Sequence, residues 1–325
     1  MLKKRNLNGK GNNLIFFIKN LLNLAIFIVS ILSKWYMRLM KNDYISEIHE
    51  KDKNVLHPYE DLQSRGTYKR KLIVRSDNIY LYDEEGNRYI DGPGGMWCNN
   101  IGHGNKEIAE AIKKQIEKMD YCSPFSESTE VAAELASVLS DLSPGDLNTI
   151  FFTSDGSTAN DSALRFVMYY NNILGRKEKK HIITRDRAYH GSTYLTGSIT
   201  GKDREKNSFD FETNFIHHLS SPNPYRRKES QSEEEFCDEK VKEFEDKILE
   251  IGPNKVAAFI AEPILASGGC IVHPKNYLKR FWEICKKYDV LYISDEVVTG
   301  FGRLGHFFSS EKEFGIIPDI ITTAK

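Results

Sequence analysis

From residue 149 to the end of the chain, short apolar runs alternate with helical segments, and this alternation restricts the possible folds more than any other feature. Thr149 to Phe152, His181 to Thr184, Val256 to Ala261, Val290 to Ser294 and Ile320 to Thr323 read as strands. Helical spacing covers Ser157 to Ile173, a segment near Gly191, the charged stretch Glu233 to Ile251, and Pro274 to Lys287. Strands joined by crossover helices pair in parallel and are covered by helices on both faces. The expectation is an α/β fold around a mostly parallel central sheet, with ligands beyond the carboxyl ends of its strands.

The first third of the chain reads differently. Leu72-Ile73-Val74 and Ile79 to Tyr82 are followed by the turn signal Glu84-Glu85-Gly86-Asn87 and then Tyr89-Ile90-Asp91-Gly92, which predicts a hairpin. Gly92 to Gly104 is a Gly-rich loop. Ile108, Ala109, Ala111, Ile112, Ile116 and Met119 then recur at helical spacing. A second helix is expected over Glu127 to Leu142, with Ser126 as its N-cap and Ser143-Pro144-Gly145 as its stop. The polar run Ser220 to Glu235 reads as a solvated loop leading into a helix. These patterns divide the chain into an apolar extension (1–40), a small α+β part (41–100) and a large domain (101–325).

A formal net charge of -1 argues against a general nucleic-acid-binding surface. The five cysteines, Cys98, Cys122, Cys237, Cys270 and Cys285, contain no CxxC pair, so neither a disulfide framework nor a zinc site is suggested and a reducing cytoplasm fits. His217, His218, His273 and His306 lack metal-ligand spacing. One stretch departs from this soluble pattern: Leu14 to Leu32 is almost wholly apolar and flanked by basic residues. Its length approaches the roughly 20 residues of a membrane span, although Lys19, Asn20 and Asn23 interrupt it. It reads as a membrane anchor, as a removed signal peptide, or as an extension upstream of the working protein, with Met37 and Met40 just before the polar segment Asn42-Asp43-Tyr44.

Few chemically capable residues fall at the strand ends. Thr153-Ser154-Asp155-Gly156-Ser157-Thr158-Ala159-Asn160 follows a strand and opens a helix. A small-residue turn there offers N–H groups, the positive end of the macrodipole and hydroxyls, which suit a phosphate but also an ordinary capped helix start. It is not GxGxxG and carries no GKS or GKT, so neither a dinucleotide nor a nucleoside triphosphate is favoured. Tyr189-His190-Gly191 presents a ring that can stack on a planar ligand or simply pack. Pro263 ends the strand from Val256 and leaves Glu262 at its mouth, as a catalytic or a merely solvated acid. Asp295 emerges from the apolar strand Val290 to Ser294, and Lys325 follows the run Pro318 to Ala324. A lysine and an acid on neighbouring strands suit pyridoxal phosphate: one supplies the Schiff-base amine, the other keeps the pyridinium nitrogen protonated.

From about Val55 to Lys325 the sequence resembles the class III aminotransferases, pyridoxal-phosphate enzymes of fold type I. The most similar subgroup is the omega-amino acid aminotransferases that use pyruvate. The resemblance is carried by Ser294-Asp295-Glu296-Val297-Val298-Thr299-Gly300-Phe301-Gly302-Arg303, by Pro318-Asp319 and by Thr323-Ala324-Lys325. Asp91 to Gly104 is similar to that subgroup's substrate-side loop. The resemblance implies that Lys325 is the Schiff-base lysine and then, as a neutral amine, the base that moves the substrate's α proton. It further implies that Gly156 and Ser157 bind the cofactor phosphate, Tyr189 stacks on the pyridine ring, Asp295 pairs with its nitrogen, Glu262 supports Asp295 and the ring's surroundings, Val297 packs on the opposite ring face and Trp97 lines the substrate pocket. An amino donor, a keto acid such as pyruvate and a homodimer follow as partners. An aminomutase or decarboxylase on the same fold, or a non-catalytic membrane-tethered fragment, are the alternatives. Family members continue past the lysine into a C-terminal small domain and a phosphate-binding Thr from the partner subunit, so the chain as written is expected to be poorly soluble or inactive.

Overall fold

A computed structural model describes residues 27–33, 41 and 43–325. Most of the apolar run 14–32 lies outside the described residues; its last part, from Phe27, is helical and exposed. No helix among the described residues is long and apolar enough to cross a membrane. The chain divides into two compact units, one ending at Gly92 and the other beginning at Pro93.

The first unit contains a helix over 43–52 and a three-stranded antiparallel sheet, β1 (Ile73–Asp77), β2 (Tyr80–Asp83) and β3 (Arg88–Ile90), in that order. The expected hairpin is β2–β3. Its turn is tied by the Asp83 carboxylate, which accepts from the Glu85 and Asn87 N–H groups, the Asn87 amide and the Tyr89 hydroxyl.

In the second unit, helices α1 (Lys106–Lys118) and α2 (Glu130–Leu142) precede α3 (Gly156–Ile173), β4 (His181–Arg185), α4 (Tyr194–Ile199), β5 (Ile216–Leu219), α5 (Glu233–Ile251), β6 (Val256–Ala261), α6 (Tyr277–Lys287), β7 (Leu291–Asp295), α7 (Ser309–Lys312) and β8 (Ile320–Thr322). The sheet order is β5-β4-β6-β7-β8, and every pairing is parallel. Period-two alternation feeds two cores. Phe259 and Ala261 of β6 join Phe244, Ile248, Phe281 and Ile284 from α5 and α6. Ala258 and Ile260 turn the other way, onto Ala163, Leu164 and Val167 of α3 and Ile199 of α4.

Two local expectations are corrected, and one strand is added to those read from sequence. Residues 149–152 form no strand, and Phe151 is 63% exposed, because an apolar run becomes a strand only where a sheet edge offers it a ladder. Helix α2 starts at Glu130 with extended Thr129 as N-cap, while the Ser126 hydroxyl donates to Glu127 Oε2 at 2.5 Å instead of capping. Strand β5 was not evident from sequence: its Ile216-His217-His218-Leu219 breaks the apolar run expected of a buried parallel strand. Its histidines are tolerated because His217 Nε2 meets His181 Nδ1 at 2.8 Å and His218 Nε2 meets the Ser198 carbonyl at 3.2 Å.

Candidate active site

The parallel ladder brings the acids and the lysine to one end of the sheet. In its register Asp295 pairs with Thr322, and Ser294 with Ala261, so Glu262 and Lys325 lie just beyond the strands flanking Asp295. Asp295 is buried. Its Oδ2 accepts from Asn160 Nδ2 at 2.8 Å and meets His190 Nδ1 at 2.7 Å, while Oδ1 accepts from the Val297 N–H at 3.1 Å. The other nitrogen of His190 lies 3.2 Å from the Thr184 hydroxyl. Asn160 and His190 lie within the motifs at 153–160 and 189–191, and nothing in those motifs gives either a role. Their contacts with Asp295 are 135 and 105 residues distant in the chain, beyond the reach of any local pattern.

Glu262 does not hydrogen-bond Asp295. Its Oε1 accepts from the Tyr189 N–H at 2.9 Å and its Oε2 from the Ala266 N–H at 3.2 Å, so it fixes the Tyr189 backbone. Burial, with a contribution from the Asp295 charge and against the pull of His190, pushes its carboxyl up to about 7. The buried Arg185 guanidinium supports this corner from beneath, donating to the Glu262 carbonyl at 2.7 Å. Lys202 Nζ lies 5.2 Å from the centre of the Tyr189 ring and donates to Ser267 Oγ at 2.7 Å, joining the same two loops on another side.

The turn at the start of α3 is a capping box, in which the Asp155 carboxylate accepts from the Ser157 N–H at 2.7 Å and the Thr158 N–H at 3.1 Å. Of the N–H groups this turn offers, that of Ser157 is therefore already engaged. The Ser157 hydroxyl oxygen accepts from the Ser192 N–H at 3.2 Å and keeps its own proton to donate. A Cβ on Gly156 would sit 3.0 Å from Val297 Cγ1 and 3.4 Å from Ala324 Cβ, so the helix start, the residue after Glu296 and the residue before Lys325 converge. Gly191, at φ +137°, passes so close that a Cβ would lie 2.6 Å from both Ser157 Oγ and Thr196 Oγ1. Trp97 sits in a strained turn at φ +67°, and Arg303 Nη2 ties that turn down by donating to the Trp97 carbonyl at 3.3 Å and to Asn100 Oδ1.

Glu296, next to Asp295, faces away from this cluster of contacts. It accepts from the N–H and hydroxyl groups of both Ser309 and Ser310, which fixes the start of α7. Among the described residues no group of His, Cys, Asp and Glu is disposed to hold a metal ion.

The family profile of the class-III aminotransferases matches residues 63–325. The chain belongs to this family. It is 40% identical over 257 residues to gamma-aminobutyrate transaminase 1, mitochondrial, of Oryza sativa subsp. indica, covering 78% of this chain and 50% of that protein. It is 38% identical over 271 residues to the putrescine–pyruvate aminotransferase of Pseudomonas aeruginosa, covering 83% of this chain and 59% of that one. The omega transaminase from Pseudomonas jessenii in complex with PMP superposes with a TM-score of 0.82 at 38% identity, over 85% of this chain and 61% of that structure. The fold is thus that of the type I pyridoxal-phosphate aminotransferases, and the chain spans about half to three fifths of the length of these relatives.

The donor set here fits the cofactor of class-III aminotransferases. Asp295 Oδ1 receives a single protein donor and has acceptor capacity for a pyridinium N–H. The start of α3, beside Val297 and Ala324, offers the Gly156 N–H and the Ser157 hydroxyl as donors of the kind that suit a phosphate.

Proposed function

We propose that the protein carrying this chain transfers an amino group from an amine, amino acid or omega-amino acid to a keto acid such as pyruvate, with pyridoxal 5'-phosphate held at Asp295 and attached through Lys325. The observation that carries the reading is the buried Asp295 in ladder register with Thr322, three residues before Lys325. The names of the relatives support transamination over the mutase and decarboxylase readings. Bound pyridoxal phosphate supplies an electron sink for the charge left when the substrate's α proton departs.

The chain's own residues do the rest. With the cofactor bound, Asp295 would be the acid that holds the proton on the ring nitrogen, and its burial would strengthen that charge interaction. Tyr189, fixed through its N–H by Glu262, would stack on one face of the ring, and Val297 would pack on the other. Gly156 and Ser157 would hold the phosphate by the backbone N–H of the first and the hydroxyl of the second. Lys325 Nζ would be the point of attachment for the cofactor and, as a neutral amine, the base that moves the proton at the substrate carbon. Trp97 lines the substrate side. A second copy of the chain completes a homodimer, a reading supported by the apolar stripe Ile108, Ile112 and Ile116 exposed on α1. The odd number and scattered spacing of the five cysteines support a cytoplasmic location.

Replacing Lys325 with alanine tests the reading. The absorbance of cofactor joined to the lysine should give way to that of the unattached aldehyde in Lys325→Ala, and amino transfer to pyruvate should fall by about a thousandfold. Retained transfer would overturn the mechanism.

A further inference from the structure

We infer that Asn160 is a positioning residue that fixes the Asp295 carboxylate relative to the strand leading to Lys325; the inference rests on the proposed roles of those two residues. Asn160 lies in α3 and is 1% exposed. Its Nδ2 donates to Asp295 Oδ2 and to the His190 carbonyl, both at 2.8 Å, and its Oδ1 accepts from Thr322 Oγ1 at 2.6 Å. Reversing the amide would set its oxygen against a carboxylate and a carbonyl, so the partners fix its orientation. One side chain therefore joins the start of α3, the loop after β4, the end of β7 and the end of β8.

These partners matter individually. A buried acid opposite a ring nitrogen has to remain charged, and a hydrogen bond donated to the carboxylate favours the charged form. The Asn160 bond restrains Oδ2 and leaves Oδ1 as the oxygen with open acceptor capacity. Thr322 is the ladder partner of Asp295, so its bond to Oδ1 of Asn160 ties β8 to the same amide that restrains the acid. Packing alone asks only for volume at this position. A polar side chain satisfied on three sides points to a directional role.

The test compares wild type, Asn160→Asp and Thr322→Val, each titrated with pyridoxal 5'-phosphate and each unfolded without it. Asn160→Asp keeps the volume but sets a second carboxylate beside Asp295; Thr322→Val removes only the hydroxyl. The dissociation constant for the cofactor should rise roughly tenfold or more in Asn160→Asp, as expected for losing a hydrogen bond to a charged group. The pH midpoint of the absorbance from cofactor attached to Lys325 should move upward, because a carboxylate no longer held in place opposite the ring nitrogen stabilises the proton there less. Thr322→Val should move that midpoint the same way by less, and it decides the matter if Asn160→Asp does not fold. A lowered unfolding midpoint with the absorbance midpoint unmoved would show a structural role only and overturn the inference. Wild type without lysine-dependent absorbance would overturn the proposed function, and this inference with it, a result distinct from normal wild type with unshifted variants.

Discussion

At the scale of single residues, Glu262 shows how burial and neighbouring charge set a property that composition cannot. Its carboxyl is raised from the ordinary 4.5 to about 7, so the folded protein holds a proton there that the unfolded chain has released. The stabilisation is fully present below pH 4.5 and is lost as pH rises through about 7. The difference corresponds to roughly 3 kcal/mol, an order of magnitude only. Glu262→Gln cannot titrate, so urea unfolding from pH 5 to 8 should show wild type losing stability relative to the variant by up to about that amount; parallel curves would refute the assignment. Asp295 and Glu262 were legible in sequence because each ends an apolar strand. The hydrogen bonds that Asn160 and His190 make to Asp295 were not, since a side chain's partner across the fold leaves no periodicity along the chain.

At the scale of elements, strands β4, β6, β7 and β8 and helices α3, α5 and α6 were legible because long apolar runs and 3.6-residue spacing survive in them. Strand β5 escaped because histidine pairing replaced apolar character. The four-residue α7 is too short for any periodic signal, and it depends on one side chain from elsewhere. Glu296 is fully buried and accepts from the N–H groups of Ser309 and Ser310 at 2.8 Å, from both their hydroxyls, and from Thr299 Oγ1 at 3.3 Å. Glu296→Gln would turn an amide donor toward some of these donors and leave buried N–H groups unsatisfied. A loss of roughly 2–4 kcal/mol is expected, with faster amide exchange at Ser309 and Ser310 than in wild type. Unchanged protection at those two amides would show that α7 is held by its packing instead.

At the scale of the whole molecule, each unit has its own sheet, and the second places its core on both faces of a parallel one. The larger core centres on Phe281, stacked on Phe244 at 4.4 Å with an interplanar angle of 1° and tilted against Tyr277 at 4.2 Å and Phe259 at 5.2 Å. Nothing can collapse into the space of a ring held on three sides, so Phe281→Ala should cost about 3–5 kcal/mol. Ile112 on α1 offers the opposite case, being 55% exposed within a single chain. Truncation of an exposed side chain costs within about 0.5 kcal/mol. Unfolding both variants in urea across a range of protein concentration therefore tests the core and the proposed dimer together. Phe281→Ala should lose stability at every concentration. If a second copy covers the α1 stripe, Ile112→Ala should lose little when dilute and progressively more as concentration rises, because only the paired form buries the isoleucine. A small, concentration-independent loss at Ile112 would remove the stripe from the dimer interface.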